Sequence, residues 1–335
     1  MDIMKDLVSV IIPVYNQAEY VVSAIESVLE QSYGSVQILV IDDGSTDDSV
    51  KQIEAAFSNE INFIRQRNMG PSAAINAGLE IARGEFISLL GGDDIASSDR
   101  FASQVDQMKT TAHDILFSLP SLIDGDGNPL RDDEFPIFQL TNLSGSDLFS
   151  RLFYGGNFLC APSVMFRRSV FEKLGGFHRG LVQLQDYDYW LRALSIDLSI
   201  NVTDERGVYY RRHKDNLSRE DRLSSANAEM CYVLKRVIDY GHPSVLRKAF
   251  SNSLSPTTDE DIPLSKLEKN IILMGHPTPE CRVLAISEIL TSMESMDEFP
   301  EEKKYGFNLL SYLYNNAGES KYDRIIARAG NAVGN

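Results

Sequence analysis

The chain has 335 residues, an ordinary globular apolar share of 43% and, with 48 acids against 32 bases, a net charge of −16. That length suits one large domain with an appendage or two domains, and that charge argues against a nucleic-acid backbone or a broadly basic membrane face as partner. Three widely separated cysteines, Cys160, Cys231 and Cys281, fit a reducing cytoplasm better than a disulfide framework and read as packing residues. No apolar run approaches the roughly 20 residues that span a bilayer, and Pro13 follows the first apolar stretch with no signal-type cleavage site after it.

In chain order, the continuous apolar run from Val8 to Ile12 predicts a buried strand, and Val21, Val22, Ile25, Val28 and Leu29 recur at helical spacing between Ala18 and Gln31. A second strand is expected from Val36 to Ile41, then a helix from Asp47 to Phe57 capped by Ser45 or Thr46. A short strand from Ile61 to Ile64 precedes a helix that Pro71 opens and Gly84 ends, and Phe86 to Leu90 is the next strand. This alternation predicts a parallel α/β sheet with right-handed crossovers.

Beyond Asp94 come a helix from Ser98 to Lys109, a strand at Ile115-Leu116-Phe117 and a hairpin turn over Asp124 to Pro129. Pro129 and Phe135 stand where a calcium loop needs its glycine and bidentate acid, which argues against calcium there. A strand from Ser163 to Phe166, a helix from Val170 to Leu174 and a helix from Asp186 to Leu194 follow. From Arg222 onward helices dominate, broken at Gly241-His242-Pro243, from Ser251 to Pro263, and at Gly275-His276-Pro277. The expected division is residues 1–220 and a helical region over 221–335. Glu294, Asp297, Glu298, Glu301 and Glu302 there read as a solvated face.

Two carboxylate pairs stand where buried runs stop: Asp42-Asp43, continuing Gly44-Ser45-Thr46-Asp47, and Asp93-Asp94 after Gly91-Gly92. In an open parallel sheet such strand ends meet at one edge, where ligands bind. Acids converging there repel unless they hold a cation or groups of a ligand, so a nucleotide with a divalent metal is the reading to test. The first strand ends in Pro13-Val14-Tyr15-Asn16 without the G-x-G-x-x-G of a dinucleotide fold, which argues against a dehydrogenase. Tyr15 reads either as a ring that stacks on a base or as an ordinary strand-end aromatic.

The order and spacing of Pro13-Val14-Tyr15-Asn16, the Asp42 to Asp47 turn, Asn68-Met69-Gly70-Pro71 through Gly78, and the Gly84 to Asp94 strand end resemble the family 2 glycosyltransferases, between Leu7 and Ser218. The resemblance implies a GT-A fold, a Rossmann-like mostly parallel sheet flanked by helices. It implies an inverting enzyme that moves a hexosyl or N-acetylhexosaminyl group from a UDP-sugar to a hydroxyl of a glycan or lipid-linked acceptor, with Mn²⁺ or Mg²⁺ as cofactor. On that resemblance Pro13 and Tyr15 line the base pocket, Asp43 reads uracil, and Asn76 matches an asparagine near the donor. Asp93 helps hold the sugar nucleotide, Asp94 binds the metal, and Asp186 in Gln185-Asp186-Tyr187-Asp188 matches the catalytic base. His213 is a further metal ligand or diphosphate donor, and Arg211 or Arg212 pairs with phosphate oxygens. Asp188, two residues from Asp186, is expected to face solvent.

Tyr187, Tyr189 and Trp190 read as core or as acceptor-pocket wall, and Gly155-Gly156-Asn157 as shaping the acceptor pocket. Three positions depart from the family pattern: Gly91 replaces the first aspartate of the acidic motif, Ile75 an arginine, and Gln185 a glutamate beside the base. The last change is expected to leave Asp186 less basic than a carboxylate pair would. A surface-polysaccharide or glycoconjugate role is expected. The rivals are a nucleotide-sugar-binding scaffold without turnover and a nucleotidyltransferase, the latter weakened because no glycine- and arginine-rich triphosphate loop follows the first strand. The C-terminal helices are expected to form an oligomer contact, an acceptor platform or, through Lys235, Arg236, Arg247 and Lys248, a peripheral contact at the inner face of a membrane.

Overall fold

The computed structural model describes residues 3–57, 59–132, 143, 145–216, 223–254 and 256–294. Phe135, Leu217, Ser218, Asp297, Glu298, Glu301 and Glu302 lie outside them. Two compact units divide the chain: one within Met1–Gly145, Asn157–Leu194 and Leu198–Arg222, the other within Ser146–Gly156, Ser195–Asp197 and Leu223–Asn335.

The first unit is built on an eight-stranded sheet. Its strands are β1 (Met4–Val14), β2 (Val36–Asp42), β3 (Asn62–Arg65), β4 (Gly84–Leu89), β5 (Ile95–Ala96), β6 (Ile115–Ile123), β7 (Met165–Arg167) and β8 (Ile200–Arg211), in the order β3-β2-β1-β4-β7-β6-β8-β5. The expected parallel pattern holds from β3 to β4. Past that point the sheet is mixed: β7 runs antiparallel to β4 and β6, β8 parallel to β6, and β5 antiparallel to β8.

Parallel strands covered on both faces read as unbroken apolar runs, and β1 buries every residue from Leu7 to Ile12. Ser9 sits inside that run with no exposure. Its hydroxyl donates to Gln37 Oε1 at 2.7 Å and accepts from the Gly84 N–H at 2.8 Å, so one polar pair ties β1 to β2 and β4. Helices α1 (Val21–Leu29), α2 (Ser49–Ala56), α3 (Pro71–Ile81), α4 (Arg100–Thr110), α6 (Arg168–Leu174) and α7 (Gln185–Ser195) belong to this unit, and α5 (Gly145–Gly155) falls almost wholly in the other. Gly78 of α3 lies so near β1 that a Cβ there would stand 2.5 Å from Ile11 Cγ2.

Two expectations change. The helix after β2 starts at Ser49 because Ser45 and Thr46 are engaged elsewhere: Ser45 Oγ accepts the Asn16 N–H at 2.9 Å, and Asn16 Oδ1 accepts the Thr46 N–H at 2.7 Å. β8 has no counterpart in the sequence reading because Asp204, Glu205 and Arg206 are exposed in its middle and interrupt the apolar pattern. Register shifts opposite Phe117 to Pro120 absorb that stretch. Tyr187, Tyr189 and Trp190 have no exposure, so they are core; Tyr189 stacks on Phe177 at 4.2 Å, and Trp190 packs edge-on to Phe117 at 4.9 Å.

The second unit is helical, with α8 (Leu223–Tyr240), α9 (Pro243–Ala249), α10 (Lys266–Met274) and α11 (Pro279–Glu294) broken at the expected punctuation. Ser265 and Glu268 close a capping box at the start of α10. Two of the four basic residues expected to touch lipid are engaged: Lys235 pairs with Asp239 and Glu288, both at 3.0 Å, and the Arg247 guanidinium with Glu268 at 2.8 Å. Among the described residues, no helix is long and apolar enough to cross a membrane.

Candidate active site

The ends of β1, β2 and β4 lie side by side, and each ends in a polar turn. Asn16, at φ 52°, stands at the end of β1 and ties that strand to the Ser45-Thr46 turn. Tyr15 beside it is 47% exposed, with Pro13 partly buried one turn of the pleat back. Asp43 is 4% exposed, and its carboxylate accepts three hydrogen bonds: Gln66 Nε2 at 2.7 Å, the Met69 N–H at 3.0 Å and the Gly70 N–H at 2.8 Å. Asp43 therefore holds the loop that leads into α3, with about one of its four lone-pair positions left over. Gly44, at φ 77°, lets the Asn68 N–H pass 2.7 Å from where a Cβ would stand. In an Asp43→Ala variant, hydrogen exchange at Met69 and Gly70 is expected to speed up about tenfold or more, because two backbone donors lose a charged acceptor; exchange followed by mass spectrometry reads it.

Beyond β4, the Asp94 N–H bonds back to Gly91 O at 3.2 Å and closes the Gly91-Gly92-Asp93-Asp94 turn. Asp94 is 2% exposed and accepts the Arg211 N–H at 2.9 Å. Burial, then the neighbouring Asp93 carboxylate, hold its carboxyl well above the usual carboxylate range, against the Arg211 N–H and charge. Asp93 Oδ2 faces His213 Nε2 at 2.9 Å. The Asp215 N–H donates to His213 Nδ1 at 3.3 Å, which assigns the ring proton to Nε2 and makes the imidazole the donor to Asp93. Asn216 Oδ1 accepts the His213 N–H at 2.6 Å and fixes the loop.

The Arg211 guanidinium, assigned to phosphate on the resemblance, is engaged with backbone carbonyls and a ring. Its Nε donates to Asp93 O at 2.8 Å, its Nη1 donates to Asp124 O at 3.2 Å and Gly125 O at 2.9 Å, and it lies 4.7 Å from the Tyr20 ring centroid. Its charge sits behind the acidic turn and ties that turn to the Asp124–Pro129 hairpin. Arg212, partly buried, donates its N–H to Ile123 O at 2.8 Å. Asn76 is not brought to this rim: Nδ2 donates to Phe177 O at 2.8 Å and Oδ1 accepts the Phe177 N–H at 2.7 Å, so its amide joins α3 to the segment after α6.

Asp186 opens α7. Its Oδ1 accepts the Tyr187 N–H at 2.8 Å and its Oδ2 accepts Asn157 Nδ2 at 2.8 Å. Asn157 is locked in turn, since its Oδ1 accepts the Leu159 N–H at 3.1 Å. Burial pushes the Asp186 carboxyl up to about 6, against the pull of those two donors. Desolvation thus raises its basicity without a second carboxylate beside it. Asp188 is wholly buried, not solvent-facing, and pairs with Arg192 at 2.7 Å one turn on. Burial, then the Asp94 charge and more weakly that of Asp186, push the buried Cys160 thiol up, against Arg100 and the Ser163 N–H.

Sequence reasoning missed Arg100, Gln66 and Tyr20, and placed Asn157 on the acceptor side. Arg100 is buried and donates to Ser88 Oγ at 2.9 Å and to Leu89 O and Val164 O, both at 3.1 Å, fixing the end of β4. A buried arginine inside a helical pattern leaves no local signal of its partners.

Residues that could hold a divalent cation are present in part. Asp94 Oδ2 and Asp93 Oδ1 converge to 2.5 Å and 2.7 Å of the point where a Gly91 Cβ would stand. Among the described residues no three His, Cys, Asp or Glu side chains form a fuller ligand set. Two carboxylates that leave the remaining positions to phosphate and water are a donor set magnesium accepts.

The strand order and helical layers are those of the GT-A fold. S. aureus TarS in complex with UDP-GlcNAc superposes with a TM-score of 0.57 over 92% of this chain and 91% of that one, at 19% identity. The Pyrobaculum calidifontis mannosyltransferase PcManGT, in complex with GDP-Man and Mn²⁺, gives 0.51 over 97% and 86%, at 14% identity. The family model described as "Glycosyl transferase family 2" matches residues 9–175. An uncharacterized glycosyltransferase of Methanocaldococcus jannaschii is 30% identical over 69% of this chain and 79% of its own length. One from Rickettsia conorii is 32% identical over 70% of this chain, which spans only 38% of that relative. The chain belongs to glycosyl transferase family 2.

Proposed function

We propose that this glycosyltransferase is an inverting enzyme that transfers a sugar from a UDP-sugar to an acceptor hydroxyl, with Asp186 as the base. The observation that carries this reading is the Asp186 carboxylate, anchored by Asn157 and Tyr187 and pushed up by burial to about 6. A base with that value is ionised at neutral pH and basic enough to accept a proton as the reaction proceeds. The acceptor oxygen forms its bond to the anomeric carbon while the bond from that carbon to the diphosphate oxygen breaks on the opposite face. The hydroxyl proton goes to Asp186, and the diphosphate leaves with the bonding pair.

Pro13 and Tyr15 line the nucleoside end, where the exposed ring stacks on the base, and Asp43 reads the uracil through the lone-pair position its loop leaves open. Asp94, with Asp93, holds Mn²⁺ or Mg²⁺ in this reading; when bound, the cation neutralises charge that builds on the departing diphosphate. His213 orients Asp93 through the 2.9 Å hydrogen bond, and Arg212 is the residue of the basic pair assigned to phosphate. The GT-A domain occupies residues 1–220, and the helical region over 221–335 serves the acceptor or self-association. The acceptor is a glycan or lipid-linked hydroxyl in polysaccharide or glycoconjugate assembly on the cytoplasmic side of a membrane. The TarS complex with UDP-GlcNAc supports the choice of donor.

A panel of UDP-glucose, UDP-galactose and their N-acetyl forms, each with Mn²⁺, Mg²⁺ or a chelator, tests this by UDP release. One donor is expected to stand at least about tenfold above the rest, with the signal lost on chelation. UDP that raises the melting temperature with no release from any donor overturns catalysis and leaves a nucleotide-sugar-binding scaffold.

A further inference from the structure

Two cysteines of the helical unit, fifty positions apart in the chain, meet in space. Helices α8, α10 and α11 pack together, and Asn227, Cys231 and Lys235 recur every fourth residue on one face of α8. Each has a partner on α11. Asn227 Nδ2 donates to Glu280 Oε1 at 3.2 Å, Cys231 Sγ meets Cys281 Sγ at 3.1 Å, and Lys235 Nζ meets Glu288 Oε1 at 3.0 Å. The partners advance in the same direction along both helices, so a polar contact flanks the sulfurs on either side and holds their register. A disulfide bond is about 2.05 Å long, so the sulfurs need close by only about 1 Å.

We propose that Cys231 and Cys281 form a thiol–disulfide exchange site, at which a small disulfide such as oxidised glutathione joins α8 to α11 through an intramolecular disulfide. The order of steps follows from exposure. Cys231 is partly exposed and Cys281 buried, so Cys231 meets the small disulfide. The Cys231 thiolate attacks one glutathione sulfur, forms a mixed disulfide and releases one glutathione thiolate, which takes up the proton Cys231 gave up. Cys281 then loses its proton and attacks Cys231 Sγ, the mixed disulfide breaks, and a second glutathione leaves. The two protein thiols are oxidised and one glutathione disulfide is reduced to two thiols. Thiol character agrees with this order: burial raises both, but the Cys281 S–H lowers Cys231 by hydrogen bonding and is itself raised by Cys231. Cys160 lies in the other unit, wholly buried, and takes no part.

The test incubates the native full-length chain with oxidised glutathione, then denatures it, alkylates free thiols and maps the peptides. The expected product has lost two hydrogens, carries a Cys231–Cys281 cross-linked peptide and one alkylated cysteine, Cys160, and returns to three free thiols with dithiothreitol. Cys281→Ala is expected to retain one glutathione on Cys231, and Cys231→Ala to retain none. Three free thiols after treatment of the unsubstituted chain, a lasting glutathione adduct on Cys231 without the cross-link, or a cross-link that involves Cys160 or a second chain each overturn the proposal. The result on the unsubstituted chain decides the matter even if a variant fails to fold.

Discussion

Replacing Asp186 with asparagine is expected to lower sugar transfer by about two to four orders of magnitude, the contribution of a positioned general base. The substitution keeps the shape and one of the two hydrogen bonds: the carbonyl of the new amide still accepts from Asn157 Nδ2 or the Tyr187 N–H, while its NH₂ meets the other donor. Against that mismatch, the variant sheds a charge that burial disfavours. These effects oppose each other, so the thermal midpoint is expected to move by only a few degrees and UDP binding to persist. Loss of UDP binding together with transfer would show that Asp186 holds the fold of the pocket instead of acting as base.

The same carboxylate sets the pH dependence. A base must be unprotonated, and its value of about 6 places the acid limb of the rate profile there, with transfer falling as pH drops through that value. The stability linkage has the opposite sign. A carboxyl whose folded value lies above its ordinary value of 3.8 binds more protons folded than unfolded between those values. Its contribution to stability is therefore fully present below about 3.8 and is lost as pH rises through about 6. Asn157→Ala removes a donor that favours the ionised form, so the acid limb is expected to move up by about one pH unit. Transfer measured from pH 5 to 9 reads this as a loss at pH 6 that largely recovers at pH 8. A uniform loss at all pH values would mean that Asn157 serves the acceptor pocket, as its place in the sequence first suggests.

What the sequence made legible was contiguous. Strand ends, their acidic turns and the breaks between the C-terminal helices each carry a local signature of apolar runs, carboxylates, glycine or proline, and β1, β2, β4 and α8 to α11 follow it. What it hid was spatial. Asn157 meets Asp186 across 29 positions, and a lone asparagine after two glycines says nothing about that. Arg211 looks like a phosphate cation beside acids, yet strand β8 carries it into the backbone carbonyls of Asp93, Asp124 and Gly125. Asp188 looks exposed by helical offset from Asp186, but α7 is covered on several sides, and Arg192 one turn away offsets the cost of burying the acid. The cysteine pair escaped for the same reason: spacing in sequence carries no register between helices.

Restoring the missing aspartate of the acidic motif is expected to harm the enzyme, not improve it. The family pattern this sequence resembles has an acid at the position of Gly91, so by sequence alone Gly91→Asp reads as a repair. A Cβ there would stand 2.5 Å from Asp94 Oδ2 and 2.7 Å from Asp93 Oδ1, closer than real Cβ contacts. Neither carboxylate has room to rotate away freely, because Asp94 Oδ1 accepts the Arg211 N–H and Asp93 Oδ2 faces His213 Nε2. Gly91→Ala alone is therefore expected to displace the pair and lower transfer by about a hundredfold, the cost of a misplacement on the order of 1 Å. Gly91→Asp adds a third negative charge beside an Asp94 that burial and Asp93 already hold well above the usual range, so it should fall further. Transfer rates at saturating UDP-sugar and Mn²⁺, with pH profiles for both variants, separate the effects: the acid limb set by Asp186 stays near 6 while the plateau drops. A Gly91→Asp variant that matched or exceeded the parent, with tighter Mn²⁺ dependence, would show that the turn opens to admit a third acid and that the close approach at Gly91 does not shape the site.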